Sequence, residues 1–248
     1  MPHDPSLPMG GVDEPTLAYA SALYDASVAT GDRWFGEVLA RLEEYGLTDR
    51  TVIAFTADHG EELWERGFVG HGHGLHGELV RVPLVLAGPG IEGGEVVSRI
   101  VSNRHLAPTL ALLGAAELDP MGTGELLVGD NAPPEAGEAG FSTFRARWDG
   151  LTRDLFGLRR GRWLIHWTGE GRVPGKDVRL FDLEADPSAR QDRAAEETEI
   201  AGELLDLFAA RLERERALRP AVVLGAGGGG LEALYELGYI DRAEDEDE

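Results

Sequence analysis

The sequence predicts an α/β fold followed by a small α+β unit with an antiparallel sheet, and three observations carry that reading. Two apolar runs, Thr51-Val-Ile-Ala-Phe-Thr56 and Val82-Pro-Leu-Val-Leu-Ala87, have the length of buried strands, and each is followed closely by glycine. Apolar residues at helical spacing stand before the first run and after the second. Beyond residue 140, short strand-like runs alternate with turn signals and give way to one long helical pattern.

The elements follow in order. Residues 1–15 carry Pro2, Pro5, Pro8 and Pro15 and read as an irregular lead-in. From 16 to 45, Leu17, Ala20, Leu23, Tyr24 and Val28, then Trp34, Phe35, Val38, Leu39 and Leu42, recur every three or four positions. Gly31 is a point where this helix could break, and Gly46 is a good stop. The first strand, 51–56, runs into Ala57-Asp58-His59-Gly60-Glu61-Glu62, and a glycine- and histidine-rich loop occupies 67–77. The second strand, 82–87, closes in Gly88-Pro89-Gly90, and 106–113 reads as a short helix with Pro108 in its first turn. These elements make one α/β unit over 16–118, and the Pro-, Gly- and Glu-rich stretch 119–140 is the boundary. Runs at 141–146, 155–159, 163–167 and 178–183, split by Arg160-Gly161 and Pro174-Gly175, predict the antiparallel sheet of a second unit, 141–220. A helix over 196–218 would cover one face of that sheet, and 221–248 is a Gly-rich linker with an acidic tail.

Composition narrows the function classes. The chain has 248 residues, 45 Asp plus Glu against 23 Lys plus Arg, and a net charge of −22. That field repels nucleic-acid phosphates and anionic lipid. No apolar run reaches the roughly 18 residues of a membrane span, and the start lacks the basic and apolar regions of a secretory signal, so a cytoplasmic protein is expected. The absence of cysteine excludes a disulfide framework, a thiolate zinc site and a cysteine nucleophile. Lys176 is the only lysine, a balance that suits solubility in high salt and equally a GC-rich genome.

The chemistry concentrates between residues 51 and 83. In open α/β sheets, ligands bind beyond the carboxyl ends of strands, where Asp58 and His59 stand. A carboxylate beside an imidazole suits a divalent metal, provided the strand has ended and Gly60 lets both side chains turn to one side. The alternative is an aspartate capping the next element beside a solvated histidine. His71-Gly-His-Gly-Leu-His76 sets three imidazoles in six residues. Such a loop can donate to an oxyanion, protonate a leaving group, ligate metal, or reflect composition alone. Arg81 reads as an ion-pair partner of Glu78 or another acid.

Three segments together closely resemble the sulfatases, metal-dependent hydrolases of the alkaline-phosphatase superfamily. They are Thr51-Val-Ile-Ala-Phe-Thr-Ala-Asp-His-Gly-Glu61, Gly70-His-Gly-His-Gly-Leu-His-Gly-Glu78 and Arg81-Val-Pro-Leu-Val-Leu-Ala-Gly-Pro-Gly90. Shorter likenesses lie at Tyr24-Asp25, Asp32-Arg33, 106–114, 180–187 and 234–239. The resemblance implies the C-terminal part of an alkaline-phosphatase-like sandwich, a mixed sheet flanked by helices, followed by a small α+β domain. It implies Asp58 and His59 as metal ligands, with Ca2+ the family's usual ion and Mg2+ or Mn2+ as alternatives. It places His71 where the family contacts the transferred anion or its leaving oxygen, His73 as a second candidate there, His76 as structural and His105 without a role.

Two family features are missing. The formylglycine nucleophile arises from Cys or Ser in Cys/Ser-x-Pro-x-Arg, and Ser6-Leu-Pro-Met-Gly10 lacks the arginine. The first metal-ligand pair, usually Asp-Asp on an early strand, has no counterpart before Asp58. The expectation is therefore a sulfate-ester hydrolase present as a C-terminal fragment, inactive alone, paired with an N-terminal complementing chain or self-associating. The alternatives are a phosphoesterase, phosphonate hydrolase or phosphoethanolamine transferase of the same superfamily, or a non-catalytic binding remnant.

Overall fold

The computed structural model describes residues 12–115, 127, 138–148, 151–169 and 177–218. The first element, α1 (Glu14–Glu44), starts where Asp13 Oδ1 accepts the N–H of Thr16 at 2.9 Å, with a proline in the first turn. That bond to Thr16 lowers the Asp13 pKa. The helix continues through Gly31, since glycine weakens an exposed helix without forbidding it. It ends in a Schellman motif, with Leu47 N–H on the Leu42 carbonyl (2.8 Å), Gly46 N–H on Glu43 (2.9 Å) and Gly46 at φ +63°. No α1 residue is buried among the described residues, and the predicted apolar stripe stays open, with Leu23 53% and Trp34 61% exposed.

The two strands expected to be buried are β1 (Ile53–Thr56) and a later strand, Leu84–Ala87, each shorter than its apolar run. No residue of either is buried, because each lies in a two-stranded sheet, with Phe55 and Val85 exposed. They pair antiparallel, Ile53 opposite Ala87 and Thr56 opposite Leu84. Phe55 meets α1 through Phe35, ring centroids 5.0 Å apart. A Cβ at Gly88 (φ +126°) would stand 2.5 Å from the Thr51 carbonyl oxygen, so only glycine turns the chain out of this strand.

The stretch between these strands, expected as a loop, contains three short elements. They are β2 (Glu62–Leu63), β3 (Val69–Gly70), paired antiparallel with β2, and α2 (Gly77–Val80). Two-residue strands leave too little alternation to read from sequence; here they are set by the Trp64 N–H to Phe68 carbonyl bond (2.7 Å). The strand Leu84–Ala87 is thus β4. A single 3-10 turn, Asn103–His105, leads into α3 (Leu106–Leu113), whose limits match the sequence pattern.

The second unit is a four-stranded antiparallel meander: β5 (Glu138–Trp148), β6 (Leu151–Arg160), β7 (Trp163–Gly169) and β8 (Arg179–Asp182). The first three are longer than their apolar cores. Helix α4 (Thr198–Leu218) covers one face, packing Ala201, Leu204 and Phe208 on Phe156, Leu158, Ile165, Trp167 and Leu180. Strand alternation sends Leu164 and Phe181 to the other face, where they bury Ala189 and meet the loop carrying His76. Most of the 119–140 boundary and all of 1–11 and 219–248 lie outside the described residues.

Candidate active site

Asp58 and His59 follow β1 in a turn rather than in the strand, so the alternation that would separate them does not apply. Asp58 Oδ1 accepts the His59 backbone N–H at 2.9 Å, which lowers the Asp58 pKa and keeps an exposed carboxylate ionised. The His59 Nδ1–H donates to the Gly60 carbonyl at 2.9 Å, which turns Nε2 toward Asp58 Oδ2, 3.7 Å away. One carboxylate oxygen and one imidazole nitrogen therefore face a common point. A backbone carbonyl fixing the far ring nitrogen is the usual support of a metal-binding histidine. A carboxylate oxygen and an imidazole nitrogen are donor types that a divalent ion takes. The pair supplies only two donors, and no group of three or more potential ligands occurs among the described residues.

Gly60 secures this turn. Its N–H donates to the Leu79 carbonyl at 2.8 Å, and a Cβ there would collide with the carbonyl oxygen of Glu78. Gly60→Ala is expected to cost about 1–3 kcal/mol by overpacking and to separate the Asp58-His59 turn from α2. Chemical denaturation of the two proteins checks this, and equal midpoints would count against the packing described.

The ring of His71 lies on that of His59, centroids 4.0 Å apart and planes 31° apart, and its Nδ1 is 3.2 Å from Glu61 Oε2. His73, the more buried of the two, places Nε2 3.0 Å from Glu62 Oε2. The hairpin thus joins His71 to the Asp58-His59 pair and sets His73 on the adjacent buried acid. Glu61 and Glu62 were not singled out from sequence. Their signal was an adjacent acid pair, Glu61-Glu62, followed ten and eleven residues later by His71 and His73.

Two further assignments are settled by packing. Glu78 pairs with Arg66 (3.2 Å), not Arg81, which is exposed. Arg66 also donates to the carbonyls of Ser188 (2.6 Å) and Ala189 (3.3 Å), tying the site loop to the second unit. His76 is half-buried against His166 and Phe181, at centroid distances of 4.8 and 5.8 Å, in the structural place expected of it. Burial pushes the pKa of His76 down to about 4 and that of His166 down to about 3. His105 is buried in the 3-10 turn, where its carbonyl accepts from Thr109 Oγ1 at 2.6 Å.

The Sulfatase family model matches residues 12–115, which include every residue of this site. Arylsulfatase K of Mus musculus is 29% identical over 199 residues, covering 77% of this chain and 35% of that protein. The phosphonate monoester hydrolase of Agrobacterium radiobacter is 28% identical in sequence and superposes with a TM-score of 0.63 over 82% of this chain and 42% of its own. A 2-O GAG sulfatase, 19% identical, shares the fold at a TM-score of 0.73, over 84% of this chain and 46% of its own. The chain spans about a third of the length of the curated relatives it matches. With the α/β architecture and the Asp58-His59 turn in place, residues 12–115 of this chain form a segment of the sulfatase family of the alkaline-phosphatase superfamily.

Proposed function

We propose that this chain is the C-terminal portion of a metal-dependent hydrolase of sulfate esters. The observation that carries the reading is the 3.7 Å approach of Asp58 Oδ2 and His59 Nε2 beside the ring of His71. Asp58 and His59 would hold a divalent cation, Ca2+ by family usage, and a bound ion would polarise the ester oxygens. His71 and His73 contact the transferred anion or the departing oxygen. Two protein ligands are few against the six to eight that Ca2+ takes. The rest of the coordination, together with the nucleophile, would come from a complementing N-terminal polypeptide. Support for that partner is the open apolar side of α1, including Leu23, Val28 and Trp34, in a chain that spans about a third of its relatives' length. Contiguous exposed apolar surface of this kind marks a place for another polypeptide. The acid-rich, nearly lysine-free composition fits a high-salt setting for the assembly.

Calorimetric titration of Ca2+ into the full chain tests the site. Asp58→Ala and His59→Ala are each expected to weaken binding at least about tenfold, since losing only an outer-shell support of a ligand already costs that much. Equal binding in all three proteins would instead support a non-catalytic remnant. Aryl sulfate turnover by the chain alone is expected to be absent, and ordinary enzyme rates would overturn the fragment reading. The second reading, phosphonate or phosphate ester hydrolysis, is favoured by the likeness to the Agrobacterium enzyme. Substrate panels on the complemented assembly separate the two.

A further inference from the structure

Glu62 is 1% exposed, which is rare for a carboxylate unless its lone pairs are used. Oε1 accepts the backbone N–H groups of Arg66 (2.9 Å) and Phe68 (3.3 Å), closing the turn between β2 and β3. Oε2 lies 3.0 Å from His73 Nε2. An ionised carboxylate only accepts, so Nε2 carries the hydrogen of this bond whether the ring is neutral or protonated. The ring of Phe68 flanks the imidazole, centroids 5.3 Å apart. His73 itself stands between Gly72 (φ +82°) and Gly74, a backbone that does little to aim a side chain. The buried acid anchors it.

We propose that Glu62 is a positioning residue that holds His73 by its Nε2–H edge and so fixes which face and which nitrogen the ring presents to the oxyanion. The proposal rests on the reading of His73 given under Proposed function. Glu62 acts through His73 and does not itself meet the substrate, because both of its oxygens are engaged inside the hairpin.

Glu62→Gln gives the hold a signature that simple packing lacks. The amide oxygen keeps the two backbone N–H groups of Arg66 and Phe68, since the reverse orientation would leave two buried donors facing an NH2 group. The amide NH2 then confronts His73 Nε2. Donor meets donor unless the imidazole moves its hydrogen to Nδ1, so the substitution should invert the tautomer while the hairpin stays formed.

The test uses the full chain labelled with 15N-histidine, with the His73 signals assigned by their loss in His73→Asn. In the unsubstituted protein, Nε2 is expected in the protonated-nitrogen range; in Glu62→Gln it should appear unprotonated, with the hydrogen on Nδ1. The same nitrogen protonated in both proteins overturns the proposal. A second arm adds inorganic sulfate in the presence of Ca2+ and follows the His73 ring signals. Saturable shifts are expected, with sulfate affinity changed at least fivefold in Glu62→Gln, because the substitution exchanges a lone pair at Nδ1 for an N–H. An inverted tautomer with unchanged sulfate affinity also overturns the proposal. Sulfate that leaves the His73 signals unmoved in the unsubstituted protein refutes the active-site reading, while the tautomer comparison still judges the hold of Glu62.

Discussion

Replacing Trp167 with alanine is expected to destabilise the antiparallel unit by about 3–5 kcal/mol, the usual cost of emptying a large aromatic site. Trp167 is 1% exposed in β7, nearly parallel to Phe156 (5.7 Å, 17°) and edge-on to Phe208 of α4 (4.6 Å, 85°). It therefore joins the helix to the sheet, and neither neighbour can close over the space without moving a secondary-structure element. Losses of this size approach the whole stability of a small domain. At a urea sensitivity of about 2 kcal/mol per molar, the midpoint for the sheet should fall by roughly 2 M. Far-UV circular dichroism follows it without relying on the indole removed. A fall of less than about 0.5 M would mean that this aromatic triad does not hold the unit together.

Acidification from pH 7 to 4.5 is expected to loosen the join between the site loop and the sheet. His76 and His166 meet at 4.8 Å, and His76 Nδ1 and His166 Nε2 are buried without a hydrogen-bond partner. Burial is the main cause of their lowered pKa values, about 4 and about 3. Arg66 and Arg179 face both rings and oppose protonation, while Glu62 and Glu78 face His76 and favour it. Both folded-state values lie below the ordinary 6.5, so the unfolded chain binds more protons in the interval between. The pair thus contributes stability that is complete above about pH 6.5 and is lost as pH falls toward 4 and 3. Allowing for the partial exposure of His76, the loss by pH 4.5 is on the order of 2–4 kcal/mol. Carboxylates also titrate near this range, so the diagnostic quantity is a difference between proteins. His166→Phe keeps an aromatic ring against Phe181 and should flatten the stability profile between pH 6.5 and 4.5. An unchanged slope in that variant would show that the histidine pair is not the group responsible.

Elements that rest on local chemistry were legible in the sequence. The α3 boundaries, the Gly46 stop of α1, the order of β1 and β4 and the meander with its covering helix all follow from periodicity and turn residues. Asp58, His59, His71 and His73 were named from sequence, and the structure places them on neighbouring turns after β1. What stayed hidden was partner choice. Arg81 stands closer in sequence to Glu78, yet Arg66 takes it, because the β2–β3 hairpin delivers that guanidinium under the 188–189 turn. The two-residue strands of that hairpin are too short to show alternation, so the assignment of Glu61 to His71 and Glu62 to His73 could not be read from spacing alone.

The sequence by itself determined the class of fold, the family resemblance and the candidate site residues, since these depend on residue type and short-range order. Only the tertiary structure decided that Asp58 and His59 face one point, that a buried glutamate aims His73, and that His76 is a neutral packing group. Burial and hydrogen-bond pairing arise between segments brought together by folding. They set which of four chemically similar histidines turns toward a site and which is sealed into an interface.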